Sequence, residues 1–191
     1  MVDQIREGMP LEDFLRIPHE KFEYIDGQVN IILSPVKPGH AYLSNLLAKF
    51  LRDCAEPLGL GKVMVEFPFA MVDSPDWVRG SRVPDVSFYA EHRWNAYVGD
   101  DSSWRDRPFT LIPDLVVEIV SENDNLRDVF RKADLYINDG VRLVWVIDPD
   151  PKLIYVYQPG HAEILRLGAK DTLTAVPILP EFSLQVSQLF A

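Results

Sequence analysis

Two carboxylates and one lysine carry the chemistry this sequence can offer. Asp85 follows Pro84 at the start of an apolar run, Glu118 lies inside the run Pro113–Ser121, and Lys132 falls on the helical stretch that comes next. Glu118 is the anchor. In Leu115-Val116-Val117-Glu118-Ile119-Val120 the apolar residues occupy both sides of the alternation, the pattern of a strand covered on both faces. A carboxylate placed there is desolvated, and it needs a cation, hydrogen-bond donors or a metal as partner. Two carboxylates facing the same side of adjacent strands can hold a divalent cation such as Mg²⁺ or Mn²⁺ through oxygen ligands. An ion so held polarises a phosphodiester and acidifies a bound water. A lysine close by can orient that water or offset charge building on the phosphate.

Each of these residues has a plainer use as well. Asp85 can cap a turn after its proline, and Glu118 can pair with an arginine. Lys132 lies four residues after Asp128, the spacing of a helix-surface ion pair worth only a few tenths of a kcal/mol. Glu23 can sit on a solvated strand face with Lys21 beside it. His40 falls in the first turn of a helical stretch, where capping and packing are its ordinary uses. Asp114 reads as the start of the Glu118 strand. Trp94 and Trp104 can stack on bases or pack in a core, and Cys54, inside an apolar helical stripe, reads as core.

The elements that must position these groups are legible in outline. Residues 10–17 read as a short helix with proline at its first position, stopped by Pro18. Lys21–Leu33 reads as a hairpin, because two alternating runs flank Asp26-Gly27. That turn sets Phe22, Tyr24, Val29, Ile31 and Leu33 on one face and Glu23 opposite Asn30 on the other. Ser34-Pro35 through Pro38-Gly39 reads as a loop. From His40 to Glu56 the period becomes helical, with Leu43, Leu46, Leu47, Phe50, Leu51 and Cys54 in one stripe. Lys62–Val72 reads as one strand bent at Pro68, Ser74–Gly80 as a connection, Val83–Ala90 as a strand, and residues 91–110 as a long loop. Ser121 or Asn123 can cap the helix whose buried stripe is Leu126, Val129, Phe130, Ala133, Tyr136 and Ile137, and Gly140 can close it. Lys132 lies about 100° from the centre of that stripe, on the flank beside Tyr136, where its long side chain can reach the sheet edge. Arg142–Ile147 and Lys152–Gln158 read as strands joined by Asp148-Pro149-Asp150-Pro151. Edge strands follow in 161–176, and a short helical turn ends Glu181–Phe190. The fold class expected is α/β, a mixed central sheet flanked by helices with an N-terminal hairpin, in a single domain spanning 1–191.

Bulk properties narrow the function. The 191 residues are 47% hydrophobic and carry a net charge of −10. That charge argues against a passive nucleic-acid coat, whose affinity comes from neutralised phosphates. It leaves room for an enzyme that meets phosphates locally. Trp77–Pro108 is itself balanced, with Arg79, Arg82, Arg93, Arg105 and Arg107 against Asp85, Glu91, Asp100, Asp101 and Asp106. A lone cysteine excludes an internal disulfide framework and a cysteine-based zinc cluster. With no long apolar run and no basic, apolar leader in Met1–Glu7, neither a membrane span nor a secretory signal is expected, and the expected location is cytoplasmic.

Taken in order, several short stretches resemble one family. They are Phe22-Glu23-Tyr24-Ile25-Asp26-Gly27, His40 at a helix start, Arg82-Val83-Pro84-Asp85-Val86-Ser87, Pro113 to Ser121, Lys132 with Tyr136, and Gly140-Val141 ahead of Trp145-Val146-Ile147-Asp148-Pro149. Together they resemble the Uma-type restriction endonuclease domain family, a branch of the PD-(D/E)XK nuclease superfamily, over roughly residues 10 to 190. The resemblance implies a restriction-endonuclease-like fold, with Asp85 and Glu118 as Mg²⁺ or Mn²⁺ ligands and Lys132 as a relocated catalytic lysine. It implies support from Glu23, with His40 lining the same cleft. The superfamily pattern has lysine two residues after the strand carboxylate, and here that position is Val120. The expected function is a Mg-dependent endonuclease acting on DNA, working as a homodimer because cutting both strands needs two sites. The competing reading, favoured by the acidic charge and by Val120, is an inactive nuclease fold serving as a binding or assembly module.

Overall fold

A strand apolar on both faces belongs inside a sheet with helices on each side, and Leu115–Ile119, wholly buried, lies there. The computed structural model describes residues 7–18, 21–32, 37–100, 102–121, 124–161 and 163–191. Along the chain run β1 (Met9–Pro10), α1 (Leu11–Leu15), β2 (Phe22–Ile25), β3 (Gln28–Ile31), α2 (Pro38–Ala55), β4 (Gly61–Val65), β5 (Phe69–Ser74), β6 (Trp77–Arg82), β7 (Val86–Ala90) and α3 (Glu91–Val98). They continue with β8 (Leu115–Ile119), α4 (Leu126–Asp139), β9 (Leu143–Asp148), β10 (Leu153–Tyr157), β11 (Leu165–Leu167), β12 (Thr172–Ala175), β13 (Leu179–Gln185) and α5 (Val186–Leu189). Among the described residues no helix is long and apolar enough to cross a membrane.

The chain forms two compact units. The described residues of the first lie within Met1–Pro35, Pro68–Val83 and Asp101–Ile112. Its sheet is antiparallel, with β6 pairing β1, β2 and β5, and β3 at the outer edge beside β2. The β2–β3 hairpin has the expected register, Phe22↔Ile31 and Glu23↔Asn30. Its turn residues Asp26 (φ 49°) and Gly27 (φ 78°) both adopt the left-handed conformation that a tight two-residue turn requires. Only the β2 side of the apolar face is covered: Tyr24 is buried, while Val29 and Ile31 are exposed on the edge strand. Leu33, Ser34-Pro35 and Asn123, used in the sequence reading, lie outside the described residues.

The second unit holds the mixed sheet. Its strand order is β11-β10-β9-β8-β7-β4. Neighbours are antiparallel except β8 and β9, which run parallel with α4 crossing between them. Alternation assigns the two faces. Leu115, Val117 and Ile119 of β8, with Leu143, Trp145 and Ile147 of β9, join the main core under Leu47, Ala48 and Leu51 of α2. Val116 and Glu118 therefore point to the other face, where α4 packs with Ala133 and Tyr136 buried. Asn125 caps α4 by accepting from the Arg127 N–H at 3.1 Å, and Gly140 (φ 104°) ends it.

Several elements differ from the sequence reading, each for a physical reason. The single strand expected over Lys62–Val72 is two strands, β4 and β5, in different sheets, parted at Glu66 (φ 51°) and Pro68. The connection expected over Ser74–Gly80 is mostly β6. Gly80 reads as a loop marker but is a close-approach position: a Cβ there would lie 3.0 Å from the Tyr24 carbonyl oxygen and 2.9 Å from Met71 Cε. The loop expected over 91–110 contains α3 and a 3₁₀ turn at Ser103–Asp106. Helix α3 buries only Trp94, so it shows no apolar stripe. The first helix is shorter than expected, with Pro10 as its cap rather than its first residue. Helix α2 begins at Pro38, ahead of its stripe, and β13 precedes the expected terminal helical turn. On β10, Tyr157 is buried, and Tyr155 packs edge-on against Phe130 with ring centroids 4.9 Å apart.

Asp114, fully buried at the entry to β8, ties this unit together. It forms an ion pair with Arg93 at 2.8 Å and accepts from Arg142 at 3.3 Å and from the Ala90 N–H at 2.9 Å. Asp114→Ala removes the buried charge itself, orphans the Ala90 N–H and frees two part-exposed arginines to water, so it is expected to lower unfolding free energy by about 1–3 kcal/mol in urea titration, while Arg142→Ala, at a half-exposed partner, costs less.

Candidate active site

The site forms where β7 begins and β8 ends. The ladder between these strands closes at Val86↔Val117. One step further along the same register, Asp85 stands opposite Glu118, the position of closest cross-strand side-chain approach. Pro84 has no N–H to continue the ladder. Instead the Asp85 side chain substitutes for a strand backbone, its Oδ2 accepting the Ile119 N–H at 2.7 Å. The same oxygen lies 3.2 Å from His40 Nε2, in the first turn of α2.

Glu118 is met from the other face. Tyr136 donates its hydroxyl to Oε1 at 2.6 Å, and Lys132 Nζ lies 3.1 Å from Oε2. Lys132 and Tyr136 are one turn apart on α4, so a single helix flank supplies both donors. The ammonium also lies 5.8 Å from the Tyr136 ring centroid, within cation–π range. The side chains of Glu118 and Lys132 are only 10% and 20% exposed, so the pair is largely desolvated and unlike the surface pairing with Asp128.

Four of the five site residues named from the sequence thus come together: Asp85 with His40, and Glu118 with Lys132. Glu23 lies in the first unit, buried on β2, where its Oε1 accepts the Val83 N–H at 3.0 Å. It is not on a solvated face. Tyr136 belongs to the site although the sequence reading used it only as part of a buried stripe; the available signal was a hydroxyl in that stripe four residues after the lysine. Trp94 packs edge-on to Tyr89 and Trp104 to Phe109, with centroids 5.6 and 5.8 Å apart, so both tryptophans are engaged in packing.

The electrostatics favour positive charge here. The Asp85 hydrogen bond raises the His40 pKa against the opposing effect of burial, and the charges of Asp85, Glu118 and Asp124 add to the rise. Among the described residues, the buried His40 Nδ1 has no hydrogen-bond partner.

Among the described residues no cluster of three or more His, Cys, Asp or Glu side chains could cage a metal. The oxygen-only pair Asp85 and Glu118 suits a different kind of ion. Mg²⁺ keeps several waters and binds through one or two carboxylates plus substrate phosphate. Among the described residues, both hydrogen bonds to the Asp85 carboxylate end on Oδ2, and Oδ1 is the oxygen that would meet an ion. The donor set fits a hard divalent cation.

The ion pair itself is testable without metal. Lys132→Met should cost roughly 2–3 kcal/mol, somewhat less than a fully buried pair loses. Glu118→Gln made in that background should recover much of the loss. A double-mutant cycle by chemical denaturation in EDTA checks this, and additive single losses would show the two side chains to be uncoupled.

Residues 11–187 match the Uma2 family, described as "Putative restriction endonuclease". No curated protein matches the chain. Among solved structures, the crystal structure of "a putative nuclease belonging to DUF820" from Anabaena variabilis is similar at 21% identity and TM-score 0.78, covering 95% of this chain and 97% of that one. A cryo-electron-microscopy structure of a DrdV–DNA complex is similar at 16% identity and TM-score 0.31, covering 67% of this chain and 86% of that one. The first likeness establishes a shared restriction-endonuclease-like fold; the second is too loose in shape to support any argument.

Proposed function

The chain belongs to the Uma2 family, and from that premise we propose that it is a metal-dependent endonuclease hydrolysing phosphodiester bonds in DNA. The observation that carries the reading is the 3.1 Å contact of Lys132 Nζ with Glu118. It returns a lysine to the strand end where Val120 offers none. A divalent cation between Asp85 and Glu118 would supply Lewis-acid polarisation of the phosphate and a water of lowered pKa.

This chain's own residues do the rest. The Ile119 N–H and His40 fix one oxygen of Asp85 and leave the other available. Tyr136 fixes Glu118 Oε1. Lys132 keeps an ammonium beside Glu118, where it can donate to a phosphoryl oxygen as negative charge builds there. Its flexible stem lets it reach from the helix flank without moving the backbone. The pairing of both carboxylates with basic side chains, together with the net charge of −10, also favours a second reading, a non-catalytic nuclease fold used for binding. We take the catalytic reading because a purely structural carboxylate is better replaced by an apolar residue in so apolar a strand. Two-strand cutting would call for two copies of the chain.

Purified protein incubated with plasmid and linear DNA in Mg²⁺ or Mn²⁺ tests this directly. Cleavage should require metal, fall to background in Asp85→Asn and Glu118→Gln, and drop about 10²–10³-fold in Lys132→Ala. Failure of the wild-type protein to cut any nucleic acid with either metal would leave the binding reading.

A further inference from the structure

A cavity of about 560 Å³ opens beside the candidate site, and His40 and Val120 line it. It lies at the carboxyl ends of the parallel pair β8–β9, where the Val120 N–H reaches the Ile147 carbonyl at 2.8 Å. In open sheets of this kind ligands bind in the crevice beyond the carboxyl ends of the strands. The volume is that of a small-molecule pocket, enough for a nucleotide and too small for a turn of duplex.

The walls have three kinds of surface. Tyr42 of α2, Leu43 and Pro149 supply aromatic and apolar faces. Tyr42 is 60% exposed, a large aromatic left uncovered where the fold makes no use of it. Asp148, only 9% exposed, adds a carboxylate. A carboxylate there offers acceptor positions on both of its oxygens. Lys152 adds a cation, its Nζ a long 3.5 Å from the Phe190 carbonyl oxygen. A stacking face, a buried acceptor and a lysine ammonium are what a nucleotide needs for its base face, its amino edge and its phosphate; Lys37 and Asp150 also line the cavity.

We propose that this cavity receives one unpaired nucleotide of the substrate, next to the phosphate held at Asp85 and Glu118, with its base against Tyr42 and an amino group on its edge donating to Asp148. The inference rests on the DNA-cleaving reading of the adjoining site and adds a substrate class to it. In a duplex the amino edge is already paired and the base faces are stacked, so a base can enter only where it is unpaired or extruded. The preferred substrates are then single strands, flaps and bulges. Cytosine and adenine carry the amino group, and thymine presents a carbonyl at the same place.

Fluorescence anisotropy in EDTA measures binding with no cleavage. The wild-type protein should bind a single-stranded or flapped oligonucleotide about fivefold or more tighter than the blunt duplex of the same sequence, the factor that roughly 1 kcal/mol of base stacking gives. Tyr42→Ala, at an exposed position that does not endanger folding, should remove that preference, and Tyr42→Trp should keep it. Asp148→Asn should remove the advantage of cytosine over thymine while its melting temperature holds. Equal affinity for duplex and single strand, or a preference untouched in Tyr42→Ala and Asp148→Asn, overturns the assignment. The same preparations assayed with Mg²⁺ keep the two readings apart. Cleavage without the preference sinks the cavity's role alone, and the preference without cleavage supports the cavity and sinks the nuclease.

Discussion

Burying a carboxylate in the middle of an apolar strand is the constraint on which the second unit depends. Water must be stripped from Glu118 for β8 to be covered on both faces, and an unpartnered charge there would cost several kcal/mol. The fold answers with α4. Tyr136 and Lys132 occupy one flank of that helix, one turn apart, and both end on the Glu118 oxygens. That fixes the rotation of the helix about its axis. Its ends are fixed independently, by Asn125 at the start and Gly140 at the close. A helix so pinned leaves little freedom for the crossover to β9, and the parallel pairing of β8 with β9 follows from it.

The second carboxylate is placed by a different device. Proline before Asp85 stops the β7 ladder, and the Asp85 side chain then takes over the hydrogen bond that the next backbone carbonyl would have made. A carboxylate used as a piece of strand is held rigidly, because it is bonded to main chain on one side and to His40 on the other. Helices on opposite faces of the sheet thus each contribute one side chain to the same strand end: α2 gives His40 and α4 gives Lys132.

What could be read from the sequence follows from how local each signal was. The hairpin at Asp26-Gly27 was legible to the residue because two left-handed positions in a row leave few choices. Helix α2, strand β8 and helix α4 were legible because their periods are strong. Lys132 was placed by counting degrees around a helix, which is reliable once the stripe is known. Strand β6 was not legible: it carries two arginines, a serine and a glycine, and it exists because three other strands pair with it. Helix α3 was hidden for the same reason, burying one tryptophan and nothing more. The long-range partners of Glu23 and Glu118 were also out of reach. The sequence showed that Glu118 needed a partner and left Glu23 on a face that could be solvated, but the hydroxyl of Tyr136 and the backbone N–H of Val83 are distant along the chain.

Val120 looks at first like a loss, since the superfamily pattern has lysine there. Its surroundings give it another meaning. The residue closes β8 at the wall of the cavity that His40 also lines. A lysine at this position would send a charged chain along the strand face towards Glu118 and crowd the cavity mouth. With the ammonium supplied from α4 instead, it approaches Glu118 from the helix side, and the wall at 120 can be a short, branched apolar surface. Moving the charge to the helix keeps an ammonium at the carboxylate and leaves a short apolar side chain in the cavity wall, where Asp148 and Lys152 supply the charged groups.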